Sequence, residues 1–189
     1  MAYNPRDFYF KKAKEKNFAA RSVFKLEELD QRFKIFRPSN KVLDLGCAPG
    51  SWTQYASQKI GRNGRCIGID LQKVNLVLPN AEFIHGDAFD PALIPDNDFD
   101  VVMSDMAPKT TGIRIQDQQR SFELAKRALD VAKLRLRVGG HFIVKLFQSD
   151  AFEEYLRLVK PLFSKLELMR PKSTRKSSYE IYIIGLKKL

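Results

Sequence analysis

The chain has 189 residues, with 33 Lys and Arg against 22 Asp and Glu for a formal net charge of +11, and two cysteines. That length fits one domain, which should bury about 70% of the surface its unfolded form exposes, so no disulfide is needed to hold it. Cys47, Cys66, His85 and His141 do not make a metal site at their spacings, no apolar run reaches a membrane span, and the charged start lacks a signal core.

The two cysteines read as small buried side chains in a reducing compartment. The expected location is cytoplasmic, and an organellar precursor trimmed of its leader would read the same. From the start, residues 8–21 mix lysines with aromatics, a composition that grips phosphates while the rings pack on bases or on the domain. Ser22 is placed to cap a helix over 23–33, where Leu26, Leu29 and Phe33 recur at helical spacing, and Lys25 falls at the flank of that stripe. Residues 36–40 break the helix before a strand at 42–45. A turn follows, and a helix runs from residue 50 or 51 to about 59.

The next strand, 64–70, ends in Asp70; residues 72–79 make a short helix or turn; a third strand over 81–87 ends in Asp87. Proline and Asp/Asn density marks 89–98 as a loop. A fourth strand over 99–104 has Asp105 at its end. A loop at 108–112 leads to a helix over 116–137, which Gly139 and Gly140 end, and a fifth strand spans 141–147. A helix over 150–159 is stopped by Pro161. Strands near 165–169 and 179–186 close the chain, joined by a basic loop at 170–178. The alternation predicts an α/β fold with a mostly parallel sheet, helices on both faces and an antiparallel edge strand from the last pair. There is no repeat or linker, so residues 1–189 form a single domain.

Charge is distributed unevenly. Residues 1–41 carry 11 basic and 5 acidic side chains and residues 165–189 carry 7 and 2, while the span between carries 15 of each. A neutral core with basic end segments fits a polyanion laid across the ends, so the segment 1–40 is expected to contribute to RNA binding.

The stretch Lys41-Val-Leu-Asp-Leu-Gly-Cys-Ala-Pro-Gly-Ser-Trp52 organises the rest. Gly46 and Gly50 enclose Cys-Ala-Pro, without the middle glycine of a dinucleotide site. Asp44, Asp70 and Asp87 at three strand ends suit a ligand with a cation and sugar hydroxyls, and with Asp105 they should line one crevice. The pattern D-x-G-x-x-P-G, then I-D, then G-D resembles the S-adenosylmethionine site of Rossmann-type methyltransferases. The resemblance implies that residues 46–50 pass the methionyl part, Asp70 accepts from the ribose and Asp87 meets the adenine amine. The implied cofactor set is Asp44, Gly46, Ala48, Pro49, Gly50, Ser51, Trp52, Asp70, Leu71, Asp87, Ala88 and Asp105.

Lys145 sits inside an apolar strand, where lysine is rare unless paired, and Asp105 on the adjacent strand end is a plausible partner. Glu180 opens another apolar strand. Lys25, Asp105, Lys145 and Glu180, in order along nearly the whole chain, resemble the Lys-Asp-Lys-Glu set of the FtsJ/RrmJ-type RNA ribose 2'-O-methyltransferases. Tyr179 stands where a basic residue is common in that family. The resemblance implies a Rossmann-like methyltransferase fold with a seven-stranded sheet, and methyl transfer from S-adenosylmethionine to a ribose 2'-hydroxyl without a metal, leaving S-adenosylhomocysteine. Lys145 would be the base, Asp105 would orient it, and Lys25 and Glu180 would position the hydroxyl. A uridine in large-subunit ribosomal RNA, assembled particles and a monomeric enzyme are the expected substrate and state. Transfer RNA or messenger RNA cap ribose methylation, and a non-catalytic RNA-binding assembly factor, are the rival readings. Met106-Ala-Pro108 lacks the Pro-Pro-aromatic grip of base methyltransferases.

Overall fold

The computed structural model describes residues 5–96, 98–175 and 177–189. The first four residues of the basic opening segment, Asn97 and Lys176 of the basic loop lie outside the described residues. In chain order the elements are α1 (Pro5–Glu15), α2 (Val23–Phe33), β1 (Lys41–Leu45), α3 (Ser51–Ile60), β2 (Arg65–Asp70), β3 (Ala81–His85) and β4 (Phe99–Ser104). They continue with α4 (Arg114–Arg135), β5 (Leu136–Phe147), α5 (Phe152–Val159), a 3-10 turn at Lys160–Leu162, β6 (Phe163–Met169) and β7 (Glu180–Lys188).

Strand side chains alternate between faces, and this decides where the helices dock. Leu43, Leu45, Ile67, Ile69, Val102 and Val144 face one core, completed by Ala125, Ala128 and Leu129 of α4 and Tyr155 and Val159 of α5. Val42, Cys66, Val101, Met103 and Ile143 face the other, built with Leu26 and Leu29 of α2 and Trp52, Tyr55 and Ile60 of α3. The single sheet has the order β3-β2-β1-β4-β5-β7-β6. β1 pairs in parallel with both β2 and β4, so the strand order reverses there and a crevice opens beyond their carboxyl ends. The antiparallel hairpin sits at one edge as expected; within it β7 lies between β5 and β6 and runs against both.

Three local expectations are corrected. Ser22 makes no side-chain cap to α2; its hydroxyl instead meets that of Ser51 at 2.9 Å, and its carbonyl accepts from Trp52 Nε1 at 3.0 Å. The end of α2 is held by Asp30, whose carboxylate accepts from the backbone N–H groups of Ile35 and Phe36. Residues 72–79 form no helix, and the segment's one bridge pairs Leu78 with Ala81. Gly139 and Gly140 do not end α4 but lie inside β5, where the pairing with β4 jumps from Phe99–Leu136 to Val101–His141. A Cβ on Gly140 would stand 2.9 Å from the Asp100 carbonyl, so that glycine permits a close backbone approach. The carbonyls at the end of α4 and just beyond it are met from β7: Lys188 Nζ donates to Ala132, Lys133 and Leu136 oxygens at 3.2, 2.6 and 2.6 Å.

Candidate active site

The crevice holds a cavity of about 450 Å³ lined by Gly46, Ala48, Asp70, Leu71, Asp87, Ala88 and Asp105, among others. Its floor is the turn after β1. Gly46 has φ +75°, and a Cβ there would collide with Met106 Cγ, so the glycine lets Met106, another lining residue, pack directly on the turn. Asp70, at the end of β2, accepts from Ala48 N at 2.8 Å through one carboxylate oxygen and from Gln72 N at 2.7 Å through the other. Both oxygens are fixed, and each keeps a lone pair for a hydroxyl donor. Asp87 accepts from Phe89 N at 2.9 Å, and the Arg127 guanidinium lies 4.2 Å from the Phe89 ring centroid.

The remaining expected cofactor residues lie outside the cavity lining. Asp44 is buried one layer beneath, on the α3 face, where Thr53 Oγ1 donates to it at 2.7 Å. Burial, reinforced by the nearby Asp105 and Asp70 charges, pushes its carboxyl up to about 7. Ser51 and Trp52 are also buried; the Trp52 ring packs on Tyr182 with centroids 5.8 Å apart. A Cβ on Gly50, at φ +102°, would meet Leu76 Cδ1 at 2.5 Å. Gly50, Ser51 and Trp52 hold the turn, with Pro49 inside it. The thiols of Cys47 and Cys66 are free and buried, and burial pushes both far up, so neither is a nucleophile.

The four charged residues come together as two linked ion pairs. Lys145 Nζ lies 3.0 Å from Asp105 Oδ1 and also donates to the Asp105 carbonyl. Lys25, from α2, pairs with Glu180, which also accepts from Thr174 Oγ1 at 3.2 Å. Tyr182 joins the two pairs: its hydroxyl donates to Asp105 Oδ1 at 2.5 Å, and the Lys25 ammonium lies 5.8 Å from its ring centroid. Register explains the meeting, since Lys145 stands opposite Tyr182 across β5 and β7. Burial alone would raise the Asp105 carboxyl, but the Lys145 and Lys25 charges and the Tyr182 hydroxyl outweigh it and hold the group below its ordinary value. Asp105 is therefore anionic across the neutral range.

A second cavity, about 360 Å³, is lined by Lys25 and Glu180, with Arg21, Arg175 and Tyr179 at its walls. Asp105 lines the first cavity and Lys25 and Glu180 the second, and Tyr182 links the two pairs. Tyr182, Thr174, Thr53 and Arg127 were missed in the sequence. Tyr182 was accessible in principle, because it lies two residues beyond Glu180 on one strand face. Thr174 sits in a loop without a pattern, and Arg127 reaches the crevice only because α4 docks beside β4.

Residues 18–188 match the model of the FtsJ-like methyltransferase family. A protein of Bdellovibrio bacteriovorus named ribosomal RNA large subunit methyltransferase E is 55% identical, with all of both chains covered. One of the same name from Desulfatibacillum aliphaticivorans is 50% identical over 97% of this chain and 91% of its own. Among solved structures, a Plasmodium falciparum chain assigned as a ribosomal RNA methyltransferase superposes with a TM-score of 0.79 at 27% identity, covering 91% of this chain and 99% of its own. Fibrillarin of Aeropyrum pernix, solved with natively bound S-adenosylmethionine, shares the fold at a TM-score of 0.57 and 18% identity, over 79% of this chain and 67% of its own.

Proposed function

The chain belongs to the FtsJ-like methyltransferase family, and on that premise we propose how this site performs ribose methylation and on which acceptor. The enzyme is an S-adenosylmethionine-dependent RNA methyltransferase, and its acceptor is a ribose 2'-hydroxyl of large-subunit ribosomal RNA. The finer reading is a uridine ribose, presented on an assembled large subunit to a monomeric enzyme in the cytoplasm. The observation that carries the mechanism is that the linked ion pairs contribute to both cavities, Asp105 to the first and Lys25 and Glu180 to the second.

The residues of the first cavity fit the cofactor. A Cβ on Gly46 would displace Met106, which also lines the cavity, Asp70 offers lone pairs to ribose hydroxyls, and the carboxylates of Asp70, Asp87 and Asp105 suit a cationic ligand. Gly46, Ala48, Asp70, Leu71, Asp87, Ala88 and Asp105 would make the contacts, while Asp44, Pro49, Gly50, Ser51 and Trp52 shape the turn from behind. When bound, S-adenosylmethionine supplies an electrophilic methyl group and remains as S-adenosylhomocysteine.

A ribose hydroxyl is a poor nucleophile, so its proton must leave as its oxygen attacks. The ion-paired Lys145 ammonium must first give one proton to water; the neutral amine that results has two N–H bonds and one lone pair. Donating both N–H groups to Asp105, to Oδ1 and to the carbonyl, leaves the lone pair as the one free direction. Lys145 Nζ takes the hydroxyl proton there, and the ammonium so formed is paired by the Asp105 carboxylate. Lys25, held by Glu180, positions the hydroxyl from the second cavity.

Incubation with methyl-labelled S-adenosylmethionine and intact large subunits, protein-free ribosomal RNA, transfer RNA or capped messenger RNA tests the reading. Nuclease digestion and mass spectrometry should place the label as 2'-O-methyluridine in large-subunit RNA, with the signal lost in Lys145→Ala. Label on transfer RNA alone overturns the substrate, and full turnover by Lys145→Ala overturns the base.

A further inference from the structure

The second cavity contains two rings that proton transfer does not use. Phe147, buried at the end of β5, and Tyr179, immediately before β7, lie with centroids 4.9 Å apart and planes at 68°. The Tyr179 backbone is fixed, because its carbonyl accepts from Gln148 N at 2.9 Å. Its ring is only partly buried, and the Arg114 guanidinium of α4 lies 5.4 Å from its centroid. Among the described residues no other ring lines this cavity. Ser22, Thr110, Ser177 and Ser178 and the cations Arg21 and Arg175 complete the wall.

A ribose that presents its 2'-hydroxyl to Lys145 carries a flat base one glycosidic bond away. Such a base, once unstacked from its neighbours, is held by a ring face and by partners for its hydrogen-bonding edge. Tyr179 supplies a ring braced by a buried aromatic and a guanidinium, and the serine and threonine hydroxyls supply edge partners that donate or accept. Resting on the reading of the chain as a ribose methyltransferase, we infer that this cavity receives the base of the acceptor nucleotide and that Tyr179 is its stacking wall. Tyr179 is then a positioning residue: it fixes the ribose by fixing the base and takes no part in proton transfer.

Tyr179→Phe, Tyr179→Leu and Tyr179→Ala in the full chain separate a ring face from mere bulk. The RNA substrate is large ribosomal subunits or protein-free ribosomal RNA, whichever the parent methylates; kcat and the RNA KM are measured, with S-adenosylhomocysteine affinity and Tm alongside. Tyr179→Phe should stay within threefold of the parent. Tyr179→Leu and Tyr179→Ala should lose about 10- to 100-fold in kcat/KM, mainly through KM, with cofactor-product affinity unchanged. Near-parent values for Tyr179→Ala or Tyr179→Leu would overturn the inference, as would a loss accompanied by an equal loss of cofactor-product affinity or a collapse of Tm. A parent that methylates no RNA removes the underlying ribose reading, an outcome visible before any variant is compared.

Discussion

At the scale of single residues, Lys145 and Asp105 illustrate why a buried ion pair is weak evidence for stability and good evidence for chemistry. Taking both charges out of water is costly, and an apolar pair of the same volume would serve the fold as well or better. Lys145→Ala should lower turnover by about 10²- to 10⁴-fold at saturating cofactor, while S-adenosylhomocysteine binds within a few-fold of its parent affinity. Single-turnover kinetics and calorimetry check the two halves. Asp44 gives a prediction in pH. Its folded carboxyl stands near 7 against an ordinary 3.8, so the fold favours the protonated form. The stability tied to that proton is fully present below pH 4 and lost as pH rises through 7. Asp44→Asn, which cannot ionise, should show a Tm that improves relative to the parent by a few degrees between pH 5 and pH 8 in thermal melts of the ligand-free protein. A constant difference across that range would mean that Asp44 is already charged in the fold.

At the scale of elements, the described residues of the 170–178 loop have little regular structure, yet they are anchored. Glu28 of α2 accepts from Lys172 N at 2.7 Å and Ser173 N at 2.9 Å, and Arg21 donates to the Ser173 carbonyl at 2.8 Å. Thr174, inside this clamp, then reaches Glu180. Glu28→Ala should therefore raise the RNA KM several-fold and lower Tm by a few degrees, leaving cofactor-product affinity untouched; a lowered cofactor affinity would show that the clamp acts on the other cavity. What the sequence made legible follows the same division. The first four strands were readable because each is a short run ended by Asp or Gly, and the placement of Lys145 opposite Val144 followed from the two-residue period alone. Asp70, Asp87 and Asp105 were readable as strand-end carboxylates. The Asp44 position was not, since a strand residue's face depends on which helix covers it. The Gly139–Gly140 pair was misread as a helix stop because a glycine required by a close backbone approach leaves the same mark in sequence. The Lys188 contacts at the end of α4 had no local signal at all, being made by a residue more than fifty positions away.

At the scale of the whole molecule, the two basic ends of the chain are one surface. Arg21 and Ser173, 152 positions apart, are hydrogen-bonded, and Tyr9, Lys12, Glu28 and Lys172 share the walls of one surface groove. Arg21, Lys25 and Arg175 stand together at the second cavity, so positive potential gathers at the mouth through which RNA must bring its ribose. RNA affinity should then fall steeply with salt, by about 300-fold or more between 50 and 200 mM if six or more phosphates are met, whereas cofactor affinity should barely change. Lys172→Glu combined with Arg175→Glu should weaken binding to all RNA sequences alike and flatten the slope of log K against log salt by about 0.7 per lost phosphate contact. Filter binding across a salt series measures this directly. An unchanged slope would place the phosphates elsewhere on the molecule, and would separate the surface that holds the RNA from the cavity that holds its reacting ribose.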